Sequence, residues 1–391
     1  MKRLKILHTT EFYFPSIGGS QEVVRQLSER MVQMGHDVTV ATSYLSERNF
    51  VELNGVKVKQ FKISGNEVRG YEGDIRSYRS FLEKSDFDVV MNYAAQQWTA
   101  DLIFPLLEKI HCRKIFVPCG FSALHDPSYK GYFEKMPAIL KRYDATIYLA
   151  EQYRDIDFAR KIGVKNLYVI PNGADEREFL KKYNGDIRQE LGIMVDSKLI
   201  MHLGSFTGAK GQPEAIQIFR AADLQGAALL LVGNVFDKKL YSRLKAIARL
   251  FNMNPINLGK RKKIIIRQLD RQKTIAALQS ADVFLFPSNI EASPLVLFEA
   301  CAAKTPFLTT DVGNAQEIVR WTKGGQILPT DFDKNGNAHA RIEESAVALC
   351  AFIEDDNKRK ILAERGYSAW NKKFRWDRIA EQYLDIYGGK R

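Results

Sequence analysis

Two glutamates and a lysine are the residues of this sequence best placed to do chemistry. The segment Phe286-Pro287-Ser288-Asn289-Ile290-Glu291-Ala292-Ser293-Pro294-Leu295-Val296-Leu297-Phe298-Glu299 reads as a buried strand, a loop and a helix. Ser293-Pro294 has the form of an N-cap followed by proline at the first helical position. That predicts a helix over 295–302. Glu299 then lies about one and a half turns into it, roughly 6–8 Å along the axis at about 1.5 Å per residue. On this reading Glu291 and Glu299 face one ligand and accept hydrogen bonds from its hydroxyls. The free N–H groups of the first turn suit a phosphate or a sugar oxygen. Ordinary helix-surface glutamates are the plain alternative, and an acid–base hydrolase pair is another.

The lysine belongs to Gly204-Ser205-Phe206-Thr207-Gly208-Ala209-Lys210-Gly211, which joins a strand end to a helix opening near Pro213. It is not a P-loop, because the Gly-Lys-Ser/Thr spacing is missing. A lysine here is a flexible point charge able to neutralise a diphosphate, or simply an exposed loop lysine. Gly18-Gly19 stands in the same kind of place, between the first strand and the first helix. Backbone there can approach an anion closely, but Gly-x-Gly-x-x-Gly is absent and a flexible turn would look the same. Three Asp-x-Asp strings occur at 86–88, 155–157 and 331–333. They fall before a strand, on a helix and in a polar loop. A metal-binding Asp-x-Asp should end a strand, so no metal is expected.

The elements that must position these residues alternate strand and helix. Strands are expected at 4–8, 38–42, 88–92, 114–118, 145–149 and 167–171, with a helix over 21–34. The rhythm restarts with strands at 199–204, 228–233, 264–267, 283–287 and 306–310, and a helix over 213–222. Such alternation implies parallel sheets covered by helices on both faces. The turn cluster Pro171-Asn172-Gly173 marks the boundary between two doubly wound halves. Ligands bind such sheets at the carboxyl ends of strands, and two halves leave a cleft for them.

Composition limits the function classes. The chain has 391 residues, 45 % hydrophobic and 27 % charged, and a formal net charge of +12. It is neither disordered nor collagen-like. Its four cysteines, Cys112, Cys119, Cys301 and Cys350, contain no Cys-x-x-Cys pair, which argues against a zinc ribbon and suits a reducing cytosol. No apolar run approaches the roughly 18–20 residues that span a bilayer, and the basic N-terminus lacks the apolar core of a signal peptide. A cytoplasmic protein, soluble or peripheral at the inner face of the membrane, is expected.

At Glu291-x7-Glu299 the chain resembles the retaining glycosyltransferases of family 4, which have the GT-B fold. Pro171-Asn172-Gly173-Ala174-Asp175 is similar to the turn that opens the family's second domain. Lys210-Gly211 is similar to its Lys-Gly after the first strand there. Gly18-Gly19 is similar to its N-domain glycine pair, and Phe374-Arg375-Trp376-Asp377 to the start of its returning terminal helix. The resemblance implies α/β architecture with two Rossmann-like domains. These are an acceptor domain over 1–172, a donor domain over 173–370 and a crossover helix over 371–391.

It also implies roles. Lys210 contacts the diphosphate of a nucleotide sugar. Glu291 and the backbone of Ala292, Ser293 and Pro294 contact the transferred sugar. The amides of Leu295 and Val296 lie near the phosphates, and Glu299 binds the ribose hydroxyls. Arg267-Gln268 sits at the nucleobase, Gly204 and Ser205 at the donor, and Gly18 and Gly19 close from the first domain. The implied catalytic pair is Lys210 and Glu291, working without metal or other cofactor.

Three departures stand out. Ser205 replaces an arginine common in the family, which removes one cation from the leaving group. Cys119, in Val117-Pro118-Cys119-Gly120-Phe121, replaces a His or Arg that faces the sugar, and His125, six residues later, is either a substitute on the acceptor side or a surface loop histidine. Nothing adjacent depresses the Cys119 pKa, so it is not expected to be a nucleophile. Lys304 stands where the family prefers glycine.

The expected reaction is hexose transfer from a UDP-sugar, of the UDP-glucose type, to a saccharide or lipid-linked saccharide in polysaccharide or glycolipid synthesis. A basic nucleic-acid-binding or nucleic-acid-modifying protein, and an inactive sugar-nucleotide-binding module, are the competing readings. No Lys/Arg stripe with stacking aromatics supports the first, and the retained glutamates and Lys210 oppose the second. Tyr129–Tyr143 interleaves bases with apolar residues, which reads as a peripheral contact with anionic membrane or as a half-buried helix. Lys260-Arg261-Lys262-Lys263 reads as a solvated loop. The first 172 residues carry 24 Lys/Arg against 20 Asp/Glu, the remainder 34 against 26. The larger excess falls on the expected donor domain and suits an anionic nucleotide sugar.

Overall fold

The structure is a computed structural model that describes residues 2–389. The chain divides into two α/β units, Met1–Asn172 with Trp376–Arg391, and Gly173–Arg375.

The first unit contains strands β1 (Lys5–Thr9), β2 (Asp37–Ser43), β3 (Glu52–Leu53), β4 (Val56–Phe61), β5 (Ile63–Asn66), β6 (Gly70–Gly73), β7 (Val89–Tyr93), β8 (Arg113–Val117), β9 (Ala145–Tyr148) and β10 (Leu167–Val169). Eight of them form a sheet in the order β10-β9-β8-β7-β1-β2-β4-β3, and β5 and β6 form a separate hairpin. β1 lies between β2 and β7, parallel to both. All five residues of β7 are buried, the pattern of a parallel strand covered on both faces. Helix α1 (Gly19–Gln33) follows β1, and α2 (Lys130–Leu140) follows β8. The terminal helix Trp376–Tyr387 belongs to this unit and buries Trp376, Ile379, Ala380, Tyr383, Leu384 and Tyr387 along one stripe. Its Tyr387 hydroxyl lies 3.0 Å from Nε2 of His8 on β1, whose Nδ1 lies 2.8 Å from Ser28 Oγ on α1. Burial pulls the His8 pKa down to about 3, so the ring stays neutral.

The second unit contains β11 (Lys198–Leu203), β12 (Ala227–Val232), β13 (Lys262–Arg267), β14 (Val283–Phe286), β15 (Phe307–Thr309) and β16 (Gly325–Ile327), then a hairpin of β17 (Thr330–Phe332) and β18 (Ala338–Ala340). The sheet order is β13-β12-β11-β14-β15-β16, all parallel. From β11 the chain winds outward through β12 to β13, and from β14 it winds the other way through β15 to β16. Winding therefore reverses between the adjacent strands β11 and β14. The helices that matter below are α3 (Gln212–Ala221), α4 (Lys238–Met253), α5 (Pro255–Gly259), α6 (Arg271–Ser280) and α7 (Leu295–Ala302).

Several local expectations need correction. The N-cap of α7 is Pro294, with no side-chain cap bond, so Ser293 stands one residue before the cap. Asp331 and Phe332 lie in β17 rather than in a loop. Asp333 follows in the turn, where it accepts from the amides of Asn337 and Asn335 at 2.9 and 2.8 Å. Those bonds hold its carboxyl down at about 2. Lys262 is not solvated. It opens β13, and its buried ammonium donates to the carbonyls of Phe219 and Ala222 at 2.7 and 2.6 Å, capping the end of α3. Strands β3, β5, β6 and β16 to β18 are too short, or too polar, to show a periodic signal, whereas β4 alternates buried and exposed residues and was overlooked.

Candidate active site

Lys210 leaves the end of β11 and Glu291 leaves the end of β14. These are the two strands between which the winding reverses, the position where open α/β sheets take ligands. Gly211 lets the two loops meet. Its φ is +73°, and a Cβ there would lie 1.9 Å from the Pro287 carbonyl oxygen, so only glycine allows this approach. The contact is sealed by the Ala209 carbonyl, which accepts from the Asn289 amide at 3.0 Å and from Ser288 Oγ at 3.2 Å.

The lysine and the first glutamate then pair directly. Lys210 Nζ donates to Glu291 Oε1 at 2.7 Å, and that oxygen lies 3.1 Å from Ser288 Oγ, whose single proton it shares with the Ala209 carbonyl. The lysine side chain is 30 % exposed and the glutamate 13 %. The pair is open on the lysine side, so an incoming anion can compete for the ammonium. The backbone of the Glu291 loop is buttressed from behind. The Ala292 carbonyl accepts from the Asn314 amide at 3.1 Å, and a Cβ on Gly313 (φ +58°) would lie 2.6 Å from that oxygen. Ala292, Ser293, Leu295 and Val296 are half-buried and Pro294 is buried.

Glu299 is buried on α7 and has a separate cation. Arg271, in the first turn of α6, donates to Glu299 Oε1 at 2.6 Å and to Glu178 Oε2 at 2.7 and 2.9 Å. Its guanidinium lies 5.6 Å from the centroid of the Phe179 ring. Burial opposes the charge on Arg271, but the two carboxylates outweigh it and raise its pKa. Arg271 was not among the residues expected from the sequence. The available signal was its place: a cation in a helix's first turn opposes the dipole and so asks for a carboxylate partner.

Around the β11 loop, Gln212 Nε2 donates to the carbonyls of Gly204 and Ser205 at 2.9 and 3.0 Å. Ser205 is half-buried. Beneath them His202 is fully buried, its Nδ1 2.9 Å from the Leu285 carbonyl and its ring stacked on Phe286. Burial lowers its pKa to about 4. Arg267 and Gln268 are exposed at the end of β13, on the edge of the sheet.

In the first unit, Gly18 is the N-cap of α1 and Gly19 its first residue. Cys119, Gly120 and Phe121 take left-handed backbone in succession, with φ of 59°, 97° and 47°. Such conformations cost about 1–3 kcal/mol each away from glycine and persist only where packing fixes them. Here Phe121 is fully buried, and Asp155 Oδ2 accepts from the Gly120 amide at 2.7 Å. Asp155 thus holds this loop, and burial raises its pKa to about 6. Burial also pushes the Cys119 thiol up to about 11, the opposite of an activated nucleophile. His125 is exposed. Among the described residues, no three His, Cys, Asp or Glu side chains gather as a metal set, and no helix is long and apolar enough to cross a membrane.

The fold and this arrangement define a GT-B protein with two Rossmann-like units. A family model for Glycosyltransferase Family 4 matches residues 17–178, and one for Glycosyl transferases group 1 matches residues 184–369. The N-acetyl-alpha-D-glucosaminyl L-malate synthase of Bacillus anthracis is 23 % identical over 96 % of this chain and 94 % of its own. Sucrose-phosphate synthase from Thermosynechococcus elongatus superposes with a TM-score of 0.75 at 20 % identity, covering 99 % of both chains. Anabaena Alr3699/HepE, solved in complex with UDP and glucose, superposes with a TM-score of 0.71 at 17 % identity, covering 99 % of this chain and all of its own. The chain belongs to the group 1, family 4 glycosyltransferases. It is an enzyme that transfers sugar.

Proposed function

We propose that the protein is a retaining hexosyltransferase. It moves a hexose from a nucleoside-diphosphate sugar, with UDP as the favoured nucleotide, to a saccharide or lipid-linked saccharide acceptor. The observation that carries this reading is the Lys210–Glu291 pair, 2.7 Å apart where the winding of the second sheet reverses. A diphosphate entering there takes the Lys210 ammonium, and Glu291 is released to accept a hydroxyl of the transferred sugar. The first-turn amides at Leu295 and Val296 add donors for the phosphate oxygens. Glu299, oriented by Arg271, accepts from the ribose hydroxyls, and Arg267 with Gln268 meets the base. The UDP in the Anabaena structure supports the choice of nucleotide.

In the reaction the bond from the anomeric carbon to the diphosphate oxygen breaks. The acceptor oxygen bonds to that carbon from the same face, and its proton passes to the departing diphosphate oxygen. The protein supplies orientation and anion stabilisation, and neither metal nor a separate general base is required. Turnover is therefore expected to survive EDTA. A thermal-shift panel of nucleotide sugars tests the donor. At about 100 times Kd the true donor adds roughly 2.7 kcal/mol of stability. A panel in which no nucleotide sugar shifts the transition, or an inverted anomer in the product, would overturn the reading.

A further inference from the structure

The charge excess has a specific address. Residues 238–263 hold nine Lys or Arg and no Asp or Glu. The whole chain from Gly173 onward carries 34 basic against 26 acidic residues, so this one segment accounts for all of that part's excess. It folds as α4, α5 and the start of β13, rather than on the loops that carry Lys210 and Glu291.

Exposed aliphatic side chains lie among these cations. Helix α4 buries Leu244, Ala248 and Phe251. At about 100° per residue, its opposite face has Ala246, Leu250 and Met253 in the middle, with Lys245 and Arg249 on one side and Arg243 on the other. Leu250 and Met253 are 70 % and 62 % exposed, and Ile256 and Leu258 on α5 are 69 % and 60 % exposed. The patch continues onto the loop at 194–196. Arg261 pairs with Asp196 at 2.7 Å and approaches Met194 Sδ at 3.6 Å, next to Val195, which is 90 % exposed. Isolated exposed hydrophobics are ordinary, but a contiguous set rimmed by charge marks a contact surface.

We propose that this face of the second unit docks on an anionic lipid bilayer. Leu250, Met253, Ile256, Leu258 and Val195 enter the headgroup–acyl boundary, while the exposed Arg243, Lys245 and Arg249 beside them reach lipid phosphates. Charge complementarity selects the bilayer, and the aliphatic chemistry selects it over nucleic acid, whose binders present stacking aromatics with their cations. The surface differs from the basic–aromatic helix of the first unit. In α2 the residues Tyr132, Phe133, Met136 and Leu140 are all buried. That helix offers lysines to solvent but no comparable apolar face.

The test is co-sedimentation of the full chain with vesicles of neutral phosphatidylcholine, and of phosphatidylcholine containing about one-third phosphatidylglycerol. Binding is expected only to the anionic vesicles, and it should weaken steeply with salt. Replacing two cations together, Arg243→Gln with Arg249→Gln, should reduce vesicle affinity about thirtyfold, given the contribution of each basic residue near such a surface. Ile256→Ser with Leu258→Ser should reduce it at least tenfold. Lys135→Gln with Lys141→Gln on α2 should change it less than twofold. Ile256→Trp reads insertion directly, because brominated acyl chains should quench the introduced indole on anionic vesicles. No binding to anionic vesicles at low salt overturns the proposal. So does binding that the α4 and α5 variants leave intact, absence of quenching, or retention of an oligonucleotide in place of vesicles.

Discussion

The two units have the same architecture, but the Asp101 cluster of the first and the Glu291 and Glu299 sites of the second are held in opposite ways. In the first unit, neutral hydroxyls and amides satisfy polar groups deep in the core. Tyr132 donates to Asp101 at 2.8 Å, the Glu67 amide donates to the same carboxyl at 3.0 Å, and Tyr143 donates to Asn92 at 2.8 Å. Burial raises the Asp101 pKa to about 7. In the second unit the two key carboxylates are held by cations on long side chains, Lys210 and Arg271, that are partly open to solvent. The first pattern fixes a scaffold. The second leaves carboxylates whose partners a ligand can exchange. Substitutions should therefore separate, affecting stability in one unit and turnover in the other.

The largest effect is expected at Lys210. Lys210→Ala removes the cation nearest the proposed leaving group and should lower kcat by about 10²–10³. Tm should barely move, because the pair is not fully buried. A kcat within threefold of wild type would end the contrast between the units. Arg271→Ala comes next. It leaves Glu299 and Glu178 without the shared guanidinium and should raise KM for the nucleotide sugar by about tenfold or more, consistent with the loss of a charged hydrogen bond. Arg271→Lys should recover only part, since lysine cannot reproduce the forked contact. Steady-state kinetics with varied donor separates these outcomes from simple unfolding.

Tyr132→Phe should show the reverse pattern. It leaves Asp101 short of a donor at a buried site and should cost about 1–3 kcal/mol of stability, with kcat unchanged on whatever protein stays folded. Denaturant unfolding with parallel activity assays checks this.

The pH dependence sharpens the comparison further. His8 and His202 have pKa values lowered to about 3 and about 4. An unfolded histidine takes up its proton near pH 6.5, so their contribution is complete above that pH and is lost as pH falls towards 4. Asp101 and Asp155 are raised, to about 7 and about 6. Their contribution runs the other way, present at low pH and lost as pH rises through those values. Both acids lie in the first unit with His8, so losses and gains partly offset there. His202 has no such counterweight in the second unit. Hydrogen exchange at pH 7.5 and pH 5 should show the larger loss of protection in β11 and β14, and His202→Phe should shrink it.

Much of this was legible in the sequence because parallel strands buried on both faces are continuous apolar runs. Ala227–Val232 and Val283–Phe286 are such runs, and their shortness and place in the alternation of strands and helices mark them as strands. The span of α7 was also legible, but not its cap, since Ser293 and Pro294 shift the start by a single residue. Lys210 and Glu291 stood out as loop residues after strand ends, and their proposed roles came from the resemblance. Their direct pairing was not legible, because it depends on Gly211 pressing against Pro287, a contact between segments far apart in sequence. Arg271 was missed for the same reason: its carboxylate partners stand 93 and 28 residues away. Lys262 looked like a loop cation because composition does not reveal that two free helix carbonyls await it.

The most direct test is turnover of UDP-glucose, or of the nucleotide sugar that gives the largest thermal shift, by wild type and Glu291→Ala under identical conditions. On the proposed contact of Glu291 with the transferred sugar, the variant should transfer or hydrolyse the donor at least about a hundredfold more slowly, while its melting temperature stays within a few degrees. Equal rates in the two proteins would contradict the placement of the active site.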